Sequence, residues 1–202
     1  MKYEIITVGE NDTIKLPRPE NYTDCLTLIA SDMHRAKGYT PGKGAVILHL
    51  LTHPFAPLPW FRMLQHRGLL RVPCRVFYKL ACIRHKIDIH LETRIGYGLT
   101  IGHGMCMVIN GGTVIGNNVN LSQFLNIGTN HSTPAVIGNE VYIAPTVCIV
   151  EDVHIGSRAT IGAGAVVVKD IPGGSTCAGV PAKVLNYDNP AQYIRNPYYP
   201  ND

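Results

Sequence analysis

Apolar residues recur at every sixth position between residues 83 and 167. Ile83, Ile89, Ile95 and Ile101 keep strict step. After two extra residues the count resumes at Ile109, Ile115, Leu121 and Ile127, and after four more at Ile137, Ile143, Ile149, Ile155, Ile161 and Val167. Six matches neither the 3.6 of a helix nor the alternation of a two-sided strand. It predicts a mainly β fold, a left-handed parallel β-helix of hexapeptide repeats, with three short strands per coil forming a triangular prism. The residue after each lead is often small, as at Gly96, Gly116, Gly138, Gly156 and Gly162, and is expected to let the backbone turn each corner. The fifth position is compact and apolar at Val119, Val141, Val147, Ala159 and Ala165.

Upstream the period changes. Residues 22–36 carry helical spacing through Leu26, Ile29 and Met33, with Asn21 or Thr23 as cap and Gly38 as stop. Ala45–His53 reads as a short apolar helix closed by prolines. Trp60–Ile83 reads as an amphipathic helix or helix pair. The expected organisation is a loosely tethered leader (1–20), a small α-helical domain (21–86), the β-helix (87–185) and a C-terminal tail (186–202).

Composition adds few constraints. The formal charge is +4, and Arg62, Arg67, Arg71, Arg75, Lys79, Arg84 and Lys86 supply much of it. The spacings of four suit a solvated helical stripe, with anionic ligands or a membrane surface as lesser readings. No nucleic-acid reading motif accompanies the stripe, so no nucleic-acid partner is expected. Six cysteines without a CxxC pair, a polar first twenty residues and no long apolar run suggest free thiols and a cytoplasmic protein that does not span a membrane.

The two slips carry the candidate chemistry. An insertion in a β-helix must leave the prism as a bulge or loop, and such loops are favoured places for function. His103, between Gly102 and Gly104, lies in the first. His131 lies in the second, within Gly128-Thr129-Asn130-His131-Ser132-Thr133-Pro134. Histidine titrates near neutrality and suits proton abstraction from a hydroxyl or amine. Ser132 beside His131 is weak evidence for a hydrolase triad, since adjacency in sequence does not make one.

These residues resemble the hexapeptide-repeat acyltransferases and, within them, the serine O-acetyltransferases. The resemblance rests on Asp88-Ile89-His90 with Arg94-Ile95-Gly96-Tyr97-Gly98, on Ile101-Gly102-His103, and on Ile161-Gly162-Ala163-Gly164-Ala165-Val166-Val167. It also rests on Ala178-Gly179-Val180-Pro181-Ala182-Lys183 and, in the helical part, on Ala30-Ser31-Asp32. It implies acetyl-CoA as co-substrate, no metal, and a homotrimer or dimer of trimers. His103 would be the general base and His131 would come from a neighbouring subunit. Asp32 would face the acceptor or orient the base. Gly128, Ala144, Ala163 and Lys183 would lie along the CoA. Two positions depart from the family pattern: Gly102 stands where an Asp is usual, and Asn130 where an Arg would grip the carboxylate of L-serine. Transfer chemistry tolerates these changes better than serine specificity does, so a sugar or polysaccharide acceptor is the main alternative. A zinc enzyme of the γ-carbonic-anhydrase type, with His85 stacked one coil before His103, and a non-catalytic trimeric scaffold are the remaining readings.

Overall fold

The computed structural model describes residues 1–130 and 134–200. The chain opens with a hairpin, β1 (Lys2–Gly9) and β2 (Asp12–Arg18), paired antiparallel. This corrects the expectation of a loose leader. Val8, Ile14 and Leu16 pack on Val114 of the coil, and Asp12 accepts hydrogen bonds from the backbone N–H and hydroxyl of Ser157 at 2.6 and 2.7 Å. Alternation at Ile6-Thr7-Val8 and at Ile14-Lys15-Leu16, on either side of a polar turn, is the signal that the leader reading passed over.

Four helices follow: α1 (Tyr22–Lys37), α2 (Lys43–Thr52), α3 (Pro57–Leu64) and α4 (Arg71–His85). Asn21 caps α1 by accepting from the Asp24 N–H at 2.9 Å, and Gly38 ends it in the left-handed conformation. The segment after residue 60 is therefore a helix pair. Ile83 sits on α4 with its side chain in solvent, so the first beat of the six-residue count is a helical residue outside the coil.

From Ile87 the chain winds into a parallel β-solenoid with three faces. On the first face Ile89, Ile109, Ile127, Ile149 and Val167 stack in register; on the second, Ile95, Ile115, Ile137 and Ile155; on the third, Ile101, Leu121, Ile143, Ile161 and Cys177. These leads fill the interior and, Ile101 excepted, are buried. A last strand, Lys183–Asn186, returns antiparallel onto the third face.

Close approach is what keeps the residues after the second-face leads small. At the second-face corners a Cβ on Gly116 would lie 2.5 Å from the Gly138 carbonyl oxygen, and one on Gly138 would lie 2.5 Å from the Ser157 backbone nitrogen. Close stacking of successive coils excludes a side chain there. Positive φ falls two residues later, at Asn118, Glu140 and Arg158, where it does not require glycine.

Candidate active site

The two slips occupy two different edges of the prism. The first, between Ile101 and Ile109, turns from the third face to the first. The second, between Ile127 and Ile137, turns from the first face to the second. Within one chain they therefore flank the first face from opposite sides.

On the third-to-first edge the ordinary turns place their left-handed residue three positions after the lead, at Phe124, Thr146 and Gly164. That position, three residues before the next lead, is kept here at Cys106, at φ 51°, and the two extra residues add a second left-handed residue, His103, at φ 50°. The His103 side chain is exposed. Ala144 and Ala163 lie on the same edge, two and three coils along, through the ladder Ile101–Leu121–Ile143–Ile161. At an inter-strand spacing of about 4.8 Å this puts them roughly 10 and 14 Å from the His103 level. The structure thus brings His103, Ala144 and Ala163 onto one edge. Lys183 is exposed at the far end, opposite Ala178 in the closing strand.

Gly128 belongs to the other edge. It lines a groove of about 500 Å³ over the first face with Asn126, Asn130, Cys148 and Glu151, and a Cβ at Gly128 would meet nothing within 4 Å. Thr129 donates to Glu151 at 2.9 Å, tying down the root of the second loop. His131 lies outside the described residues.

Asp32 is anchored to Arg62 and to the coil corner at Leu99. Arg62 grips it with a two-pronged ion pair, Nε to Oδ2 and Nη2 to Oδ1, both 2.9 Å, and the Leu99 N–H donates to Oδ1 at 2.8 Å. Burial pushes the Asp32 carboxyl up, against the pull of the Arg62 guanidinium. Arg62 is fully buried and also donates to the carbonyls of Ile95 and Gly96 at 2.9 and 2.7 Å. It is therefore no part of a solvated stripe, which corrects that expectation. Ser31 accepts from the Gly98 N–H at 3.0 Å, and Arg35 donates to the Gly98 carbonyl at 2.6 Å and to Asn120 at 2.7 Å. Ser31, Asp32, Arg35 and Arg62 together clamp the corner at residues 95–99, from which the chain runs through Thr100 and Ile101 to His103. The clamping role of Arg35 and Arg62 was missed from sequence.

Among the described residues no group of three or more His, Cys, Asp or Glu is placed to hold a metal ion. His85 is the last residue of α4 and not a coil residue, and its Nδ1 lies 3.0 Å from the Gly104 carbonyl. The stacking of His85 one coil before His103, on which the zinc reading leaned, is therefore not what the fold provides. No helix among the described residues is long and apolar enough to cross a membrane.

The solenoid is built on six-residue repeats, and residues 134–169 match the bacterial transferase hexapeptide (six repeats) family. The relatives narrow this class. A serine acetyltransferase of Helicobacter pylori is 31% identical over 155 residues, covering 73% of this chain and 83% of the relative. Serine acetyltransferase 2 of Arabidopsis thaliana is 38% identical over 104 residues, covering 49% of this chain and 32% of that protein. Among solved structures, the soybean serine acetyltransferase apoenzyme superposes with a TM-score of 0.63 at 26% identity, covering 78% of this chain and 67% of that one. The chain belongs to the serine acetyltransferase family of acetyl-CoA-dependent acyltransferases.

Proposed function

We propose that this enzyme moves an acetyl group from acetyl-CoA to the hydroxyl of L-serine by direct attack, with His103 as general base. The observation that carries the reading is the shared edge of His103, Ala144 and Ala163. The two alanines leave room for a pantetheine arm to run along the coils, delivering the thioester to the His103 level. Lys183, at the far end, is suited to a CoA phosphate. In the reaction the neutral imidazole takes the hydroxyl proton as the oxygen bonds to the thioester carbonyl carbon. Collapse of the tetrahedral adduct breaks the C–S bond, and the imidazolium returns the proton to the departing thiolate. Holding both substrates on one edge supplies much of the rate by positioning.

Asp32 acts here as a positioning residue. It fixes the Leu99 N–H, and with it the start of the short strand, Thr100–Ile101, that leads to His103. Because the second loop lies across the first face from His103, His131 and Gly128 serve a site formed with a neighbouring copy, in a homotrimer or dimer of trimers. The cytoplasm is the expected compartment.

A sugar hydroxyl is the second reading, favoured by Asn130, which offers a carboxylate no cation. The test is release of CoA thiol from acetyl-CoA with L-serine and with a panel of sugars. Turnover with serine that His103→Ala abolishes, in a protein with unchanged circular dichroism, supports the proposal. Turnover with sugars alone moves the acceptor to the second reading, and equal turnover by His103→Ala overturns the role of the base.

A further inference from the structure

Helix α4 carries apolar residues on its outward face as well as its inward one. Cys74, Tyr78 and Ala81 face the protein interior. A surface helix ordinarily turns a polar face outward, yet here the outward strip, at spacings of four, four and three, is Val72, Val76, Leu80 and Ile83. Val72 is 74% and Val76 55% exposed, and Leu69, just before the helix, is 97% exposed. Cations flank this ridge. On one side Arg71, Arg75 and Lys79, with Arg67 and Lys86, line a cleft of about 1200 Å³ whose coil-side wall includes Asp88 and Glu92. On the other side Arg84 stands 5.6 Å over the ring of Phe55, itself exposed, which extends the apolar surface to the end of α2.

We propose that this face of the helical domain docks on an anionic phospholipid surface, with α4 lying parallel to it. An interfacial helix joins an apolar strip sunk at the headgroup boundary to cations that meet lipid phosphates. The charge distribution selects that occupant over a second copy of the chain. Residues 33–87 contain no Asp or Glu and ten of the eighteen Lys and Arg residues of the protein. A two-fold contact through α4 would set Arg71, Arg75 and Lys79 against the same residues of the partner, with no acid in the segment to answer them. A phosphatidylglycerol surface supplies the missing negative charge and an apolar phase together.

Vesicle co-sedimentation of the full chain tests this. The protein is expected to pellet with phosphatidylglycerol–phosphatidylethanolamine vesicles and to stay in solution with phosphatidylcholine. Raising NaCl from about 0.1 to 0.5 M should weaken binding. The pairs Val76→Ser/Leu80→Gln and Arg75→Glu/Lys79→Glu should each lower partitioning by roughly tenfold or more. Val168→Ser, an exposed apolar site on the coil, should leave it unchanged, and circular dichroism checks that each variant folds. Absence of anionic-vesicle binding overturns the proposal, as does equal binding by both double variants. So does a fall in native mass of Val76→Ser/Leu80→Gln without vesicle binding by the parent, which would assign the ridge to self-association.

Discussion

Replacing Arg62 with alanine should detach the helical domain from the solenoid. Arg62 is fully buried and makes four bonds at 2.7 to 2.9 Å, two to Asp32 and one each to the Ile95 and Gly96 carbonyls. Removing one partner of a buried pair costs about 3–5 kcal/mol, chiefly because the other charge stays buried and unanswered. The orphaned carbonyls add to this, while protonation of Asp32 and its remaining bond from the Leu99 N–H take some away. The expected loss is about 4 kcal/mol, a large share of the roughly 5–15 kcal/mol that holds a domain folded. With a urea slope of about 2 kcal/mol per molar, the midpoint should fall by roughly 2 M. Trp60, the one tryptophan, is buried on α3 and reports the helical domain by fluorescence. Far-UV circular dichroism follows the solenoid as well, at the same protomer concentration. The fluorescence transition should move ahead of the dichroism transition, because a solenoid loses stability locally. The double variant Arg62→Met/Asp32→Leu should recover part of the loss, since an apolar pair leaves no buried charge unanswered. A fluorescence midpoint that moves by less than about 0.5 M in Arg62→Ala, equivalent to about 1 kcal/mol, would refute the clamp.

Other perturbations separate parts of the site. Gly116→Ala should destabilise by about 1–3 kcal/mol, as its Cβ would press on the Gly138 backbone, whereas Gly128→Ala, facing open space, should stay within about 0.5 kcal/mol; thermal melts compare them. Gly102→Asp should fold normally, because a Cβ there meets only the Leu121 carbonyl oxygen at 3.7 Å, and it should raise kcat with serine if a carboxylate beside His103 steadies the imidazolium. Asn130→Arg should lower KM for serine and leave KM for acetyl-CoA unchanged, by giving the acceptor carboxylate a two-pronged partner. The Cys25 thiol, pushed up to about 12 by burial, should resist iodoacetamide at pH 8 in the native protein and react fully in urea, as read by mass spectrometry.

The solenoid was legible because a coil repeats one packing problem. Each lead must fill the same interior position, so its demand for Ile, Leu or Val recurs and sums over many coils. The helical domain has no such repetition. Its docking depends on a few long-range polar pairs, and Arg62 joins Asp32 across thirty residues and Ile95 across thirty-three. No local pattern distinguishes such an arginine from the half-buried Arg71 and the exposed Arg75 and Lys79, which follow at similar spacing. Ile83 shows the converse error, an exposed helical residue that happens to fall in step with the coil.

Site geometry lay between these extremes. Counting residues located both slips, but only the order of the faces shows that they fall on different edges. The lead sequence runs first, second, third face, and it returns to the first at Ile109. A slip before Ile109 therefore opens the third-to-first edge, and a slip after Ile127 opens the first-to-second edge. The family resemblance already implied that His131 comes from a neighbouring subunit. The first face stands between His103 and Gly128–Asn130, the described root of the second loop, which is the geometry that the proposal of two half-sites rests on. In the proposed mechanism each chain then supplies a base to one acceptor and a second loop to another. Oligomerisation becomes part of the chemistry in that arrangement, and a monomeric variant that keeps its fold should bind CoA along the alanine edge yet turn over poorly.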